Sequence, residues 1–69
     1  MEIKINTPYI KLDQLLKYSG ICPTGKDAKD IIKDEKIKVD GVIETKRGRK
    51  IYKDTLVYIE SENLELKVV

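Results

Sequence analysis

The chain has 69 residues, of which 38% are charged and 41% are hydrophobic, and its net charge is only +2. This length fits a single domain over residues 1–69, with one small core and little room for a deep enzymatic cleft. The only cysteine, Cys22, excludes an internal disulfide, and we expect it to be a small buried thiol. The lack of histidine argues against a zinc site. No apolar run is long enough for a membrane span or a signal peptide, so a cytoplasmic location is expected.

Positive charge is concentrated in one part of the chain. Residues 1–50 carry twelve basic and eight acidic side chains, whereas residues 51–69 carry two basic and four acidic ones. Nine of the fourteen basic residues lie between Thr24 and Lys50. Such asymmetry is typical of a domain with one surface that contacts an anion and another that does not.

The N-terminal third of the chain changes its hydrophobic period once. Residues 1–6 alternate, with Ile3 and Ile5 on one face, which predicts a short, half-exposed strand. Residues 10–19 then place leucines at helical spacing, which predicts a first helix. Gly20 stands where a left-handed C-terminal cap would end that helix.

A second helix is predicted to begin after Thr24, because Asp27 follows three residues later and approximates a capping box. Its apolar residues share one face, which we expect to be buried: Ala28, Ile31 and Ile32. Its lysines share another face: Lys26, Lys29 and Lys33. Two interpretations of the lysine face are open. It is either a solvated face held by local ion pairs such as Lys26 with Asp30, worth about 0.2–0.5 kcal/mol each, or a face that binds an anion.

A hairpin and a basic loop come next. Asp40-Gly41 lies between two alternating apolar runs and predicts a two-residue turn. The basic loop then carries four positive charges around one glycine: Lys46, Arg47, Gly48, Arg49 and Lys50. Such a loop gains nothing from burial, and Gly48 lets the backbone approach a ligand closely. Contact with phosphates explains this composition, and a solvated basic turn is the alternative.

The C-terminal part of the chain reads as strands. Residues 51–52, 55–60 and 64–68 are β-branched, aromatic or alternating, and turns separate them. No catalytic motif accompanies them, since histidine is absent and the glycines occur singly rather than in a phosphate-cradling loop. The sequence therefore argues against an enzyme.

Three stretches in this order resemble a known family: Lys11 to Leu16 (KLDQLL), Thr24 to Lys29 (TGKDAK) and Ile37 to Gly41 (IKVDG). They look like the S4-like RNA-binding domain, or alpha-L motif, over about residues 10–60. The N-terminal strand and the basic loop are most similar to small, free-standing bacterial members, the YaaA/YbcJ-like group. The resemblance implies an α+β fold in which two helices pack on a small, mainly antiparallel sheet, and it implies binding of structured RNA.

The resemblance also implies which residues face the RNA: Lys11, Thr24, Gly25, Lys26, Lys29, Lys33, Lys46, Arg47, Gly48, Arg49 and Lys50. Lys26 and Lys29 depart from the arginines that are usual in the family, and lysine offers a point charge in place of a planar fork. Asp40 departs from the usual asparagine. We further expect Lys26, Lys29, Arg47 and Arg49 to lie on one surface, because neither cluster has enough opposite charge of its own.

The sequence thus predicts an RNA-binding module whose partner is structured RNA, with ribosomal RNA as the expected kind. No metal, cofactor, membrane or small-molecule substrate is expected. Two alternatives are kept. One is a protein-interaction module that uses the acidic C-terminal strands or an exposed sheet edge. The other is a DNA-binding protein, because phosphate contacts alone do not distinguish the two polymers.

Overall fold

Two α-helices and seven short strands make up the computed structural model, which describes residues 1–69. In chain order they are β1 (Glu2–Ile3), β2 (Tyr9–Lys11), α1 (Leu12–Tyr18), α2 (Gly25–Lys33), β3 (Ile37–Val39), β4 (Val42–Ile43), β5 (Lys50–Tyr52), β6 (Leu56–Ile59) and β7 (Leu64–Val68). A single 3-10 turn, Glu60–Glu62, joins the last two strands. None of the helices is both long and apolar enough to cross a membrane.

The strands form one five-stranded sheet and one separate two-stranded ribbon. The sheet has the order β1-β7-β6-β3-β4, and only its β1–β7 pair is parallel. The ribbon pairs β2 with β5 in antiparallel register. The predicted α+β fold with a mainly antiparallel sheet is therefore confirmed.

The core lies between the helices, the sheet and the ribbon, and every buried side chain in it is apolar. The fully enclosed members come from all three layers: Leu12, Leu15, Leu16, Ala28, Ile32, Ile37, Ile51, Val57, Ile59, Leu66 and Val68. Cys22 is buried among them, as expected, and burial raises the pKa of its thiol. Ile31 is a correction, because it is only half-buried and packs at the edge of the core.

Local sequence signals predicted the start of α2 and the hairpin correctly. The Asp27 backbone N–H donates to Thr24 Oγ1 at 3.2 Å, and the Thr24 hydroxyl donates to Asp27 Oδ2 at 3.0 Å. In the hairpin, Asp40 and Gly41 both have positive φ, at 50° and 85°, as a type I′ turn requires. Asp40 Oδ1 also accepts the backbone N–H of Leu56 at 3.0 Å, which gives this aspartate a structural role.

The N-terminal elements are shorter than predicted, and one strand was missed. The first strand contains only Glu2–Ile3, and the first helix begins at Leu12 rather than at residue 10. Tyr9–Lys11 is instead extended, because it pairs with Lys50–Tyr52 of β5. Three residues are too few to show a period of their own, so a partner distant in the sequence decided their conformation.

Candidate nucleic-acid interface

The basic loop is fixed to the N-terminus of α1 through its backbone. The carbonyl of Arg47 accepts the N–H of Asp13 at 3.0 Å, and the carbonyl of Arg49 accepts the N–H of Leu12 at 2.9 Å. The N-cap residue of α1, Lys11, forms no side-chain cap, so the loop supplies acceptors for two helix donors that would otherwise lack partners. The loop therefore has a defined position relative to α1.

A carboxylate holds the loop from its other side. Glu44 Oε2 accepts the backbone N–H groups of Thr45 at 3.0 Å and Lys46 at 3.2 Å, while Oε1 accepts from Arg49 Nη1 at 2.7 Å. The hydrogen bond from Arg49 is the largest reason why the pKa of Glu44 lies below its ordinary value, and the two backbone N–H groups lower it further. Glu44 was not among the residues predicted for the site, so the sequence analysis missed this role.

This contact corrects the expectation that the basic loop has too little opposite charge of its own. Arg49 and Glu44 form the only ion pair in the structure, with 46% and 14% of their side chains exposed. The basic loop thus has an opposite charge of its own, and Arg49 is partly neutralised. The backbone N–H of Arg49 also donates to the carbonyl of Lys46 at 3.2 Å, which closes a tight turn around Arg47 and Gly48.

All but one of the predicted RNA-facing residues are exposed, and Gly25 is half-buried. The fold brings Lys11 to the basic loop, because Lys11 is paired with Lys50, the last loop residue and the first residue of β5. Gly48 has space around it, since a Cβ there would meet no atom within 4 Å, and its φ is not positive. The fold therefore does not require glycine at this position.

The lysines of α2 are exposed and have no carboxylate within 4.0 Å. The local ion pairs that would have explained this face, such as Lys26 with Asp30, do not form. The helix packs against α1, whose N-terminus holds the basic loop. Lys11 therefore lies beside the basic loop, and α2 packs against α1, the helix whose N-terminus holds that loop. That Lys26, Lys29, Arg47 and Arg49 lie on one surface stays a prediction.

Two tyrosines beside the loop were not among the predicted site residues. The rings of Tyr9 and Tyr52 lie 5.7 Å apart at their centroids and are tilted by 51°. Lys50 Nζ lies 5.0 Å from the centroid of the Tyr9 ring. The alternation of Lys50, Ile51 and Tyr52 was the signal that could have found them, because it places Lys50 and Tyr52 on one face.

Two helices packed on a mainly antiparallel sheet, with no enclosed pocket, make up a small α+β module. The sequence profile of the S4 domain family matches residues 3–67, almost the whole chain. The chain therefore belongs to the S4 domain family, and the resemblance seen in the sequence is confirmed. S4 domains are generally RNA-binding modules rather than enzymes. No curated protein matches this chain.

Proposed function

We propose that this chain binds folded RNA in the cytoplasm, with ribosomal RNA as the expected partner, through the basic loop and the lysine face of α2. One observation carries the proposal. The backbone of the basic loop is held by Glu44 and by the N-terminus of α1, while the side chains of Lys46, Arg47 and Lys50 are exposed. Binding a phosphate would then cost little loop entropy, because the loop is already ordered.

The lysine face of α2 supplies the second group of contacts. Lys26, Lys29 and Lys33 would lie along the phosphates, without first breaking an ion pair. The first backbone N–H groups of α2, at Gly25 and Lys26, point out of the helix without intrahelical partners and would assist at a phosphate. Recognition of this kind depends on shape and charge, as is typical for folded RNA.

The two arginines of the loop are expected to differ in their roles. Arg49 uses one donor on Glu44, so part of its function is to hold the loop. Arg47 is exposed and has no ion-pair partner, so its whole guanidinium fork is free for a phosphate. We therefore assign more of the phosphate binding to Arg47 than to Arg49.

The test is the affinity of Arg47→Ala for a folded RNA, measured across a range of salt concentrations. The loss of one phosphate contact should flatten the slope of log affinity against log salt by about 0.7–0.9 and weaken binding to all RNA sequences alike. Lys67→Ala is the matched control, because Lys67 is an exposed cation on β7 of the large sheet. Both variants should melt like the parent protein.

An unchanged slope in a folded Arg47→Ala protein would remove the basic loop from the interface. Competition between duplex RNA and duplex DNA of one sequence tests the choice of polymer. Equal affinity for the two would favour the DNA-binding alternative, since the 2′-hydroxyl and the A-form shape are what distinguish RNA.

A second candidate function rests on the sheet edge at β4. Val42 and Ile43 are exposed there, at 69% and 46%, and the strand pairs only with β3. An edge of this kind can accept a strand from a protein partner. The C-terminal strand cannot serve in the same way, because β7 lies between β1 and β6. A partner bound by strand addition would show little dependence on salt, unlike RNA.

A further inference from the structure

The β2–β5 ribbon has an inner and an outer face of different chemistry. Its register pairs Tyr9 with Tyr52, residue 10 with Ile51, and Lys11 with Lys50. The middle pair faces the core, where Ile51 is fully buried. Since side chains alternate along a strand, the two tyrosines and the two lysines share the outer face.

The tyrosines on that face are arranged as a platform. Their ring centroids lie 5.7 Å apart with the ring planes tilted by 51°, and Lys50 Nζ lies 5.0 Å from the centroid of the Tyr9 ring. A cross-strand aromatic pair stabilises a ribbon, which explains why the rings meet. Tyr52 is nevertheless 52% exposed, so about half of its surface remains open to solvent beside the Tyr9 ring.

The platform is continuous with the basic loop. Lys50 ends the loop and begins β5, and Tyr52 follows two residues later on the same face. Lys11, the partner of Lys50, directly precedes α1, whose first N–H groups bind the loop carbonyls. The aromatic rings therefore adjoin side chains that suit a phosphate backbone, and cationic side chains beside exposed aromatic rings are the combination that binds unpaired nucleotides.

We propose that Tyr52, supported by Tyr9 and Lys50, stacks against an unpaired base of the bound RNA while Lys11 and the basic loop hold the adjoining phosphates. This proposal rests on the proposed function and narrows its substrate to folded RNA that carries an unpaired nucleotide beside a duplex. A phosphate-binding surface alone cannot recognise such a nucleotide. A tyrosine ring can, because every base offers a π-face once it leaves the helix.

The test uses the full chain and two RNA hairpins. One is fully paired, and the other has the same sequence with one added bulged nucleotide, whose base is the fluorescent analogue 2-aminopurine. The parent protein should bind the bulged hairpin about 5- to 150-fold more tightly, as expected for one stacked base, and quench its fluorescence. Tyr52→Ile keeps a strand-forming residue but removes the ring. It should abolish the preference and the quenching while leaving the salt slope unchanged.

Two control variants separate stacking from other roles of tyrosine. Tyr52→Phe keeps the ring and should keep the preference. Tyr18→Ile removes a tyrosine that is 67% exposed at the far end of α1 from the basic loop, and it should also keep the preference.

The outcomes distinguish this proposal from the one on which it rests. Equal, strongly salt-dependent binding of both hairpins by the parent protein would overturn stacking and leave RNA binding intact. Absence of salt-dependent binding to either hairpin would overturn the proposed function, and stacking with it. A folded Tyr52→Ile protein that retains the preference would overturn stacking. If that variant does not fold, unquenched 2-aminopurine in the parent complex is the overturning result.

Discussion

A single acidic residue helps to hold the basic loop in place. Glu44 binds two backbone N–H groups and the Arg49 guanidinium with one carboxylate. It stabilises the loop, but it also neutralises part of the positive charge that the loop carries. A loop of four like charges would otherwise repel itself, so one internal carboxylate is a physical means of keeping it ordered.

The substitution Glu44→Gln tests this role. It should lower the free energy of unfolding by about 0.2–1 kcal/mol near neutral pH, the range for an ion pair with an exposed partner. The pKa of Glu44 is lower in the folded protein than its ordinary value of 4.5, so its stabilisation is present above that pH. It is lost as the pH falls through the lower, folded value, where the parent carboxylate also becomes neutral.

Denaturant unfolding of both proteins between pH 7 and pH 3 measures the difference. The difference in the free energy of unfolding between the parent protein and Glu44→Gln should narrow as the pH falls below 4.5, the ordinary pKa of a glutamate. Glu65→Gln, at an exposed position of β7 with no ion pair, controls for loss of charge alone. A gap that persists at pH 3 would show that glutamine disturbs the loop for reasons other than charge.

At the scale of elements, the turn between β3 and β4 depends on backbone conformation. Gly41 has φ of 85°, a region that β-branched residues avoid, and Asp40 before it has φ of 50°. Gly41→Val should therefore destabilise the protein by about 1–3 kcal/mol. Denaturant unfolding of Gly41→Val and of the parent protein measures this, and the midpoint of the variant should be lower.

Gly48→Ala provides the matched control for that substitution. Gly48 does not have positive φ, and a Cβ there would meet no atom within 4 Å, so this variant should unfold like the parent protein. If Gly41→Val were equally harmless, the hairpin would not depend on positive φ at its second position.

The basic loop and helix α1 stabilise each other. The basic loop accepts hydrogen bonds from α1, so the helix that lacks a side-chain cap gains its cap from a loop distant in the sequence. The same contact positions the loop. The stability of α1 and the geometry of the candidate interface are therefore coupled through two hydrogen bonds.

At the scale of the whole molecule, the question is whether α2 and the basic loop contact one RNA. If they do, Lys26→Ala with Lys29→Ala and Arg47→Ala should flatten the salt slope additively, by about 0.7–0.9 for each residue removed. The comparison requires three variants on one short folded RNA: Lys26→Ala with Lys29→Ala (the double variant), Arg47→Ala alone, and all three substitutions together (the triple variant). A triple variant whose slope equals that of the double variant would place Arg47 outside the RNA contact made by α2.

Local sequence signals predicted much of this protein. The Thr24 cap, the positive φ of Gly41 and the helical spacing of Leu12, Leu15 and Leu16 depend on residues within four positions of one another. Family membership followed from the same ordered stretches. The basic composition of the loop was also evident, because charge is a property of the residues themselves.

Other features were decided only by tertiary structure. Tyr9–Lys11 is a strand because β5 lies beside it, and Tyr9 meets Tyr52 for the same reason. The position of the basic loop depends on the N–H groups of α1. Each of these contacts joins segments whose relative placement is set by packing around a shared core, which local propensity does not encode.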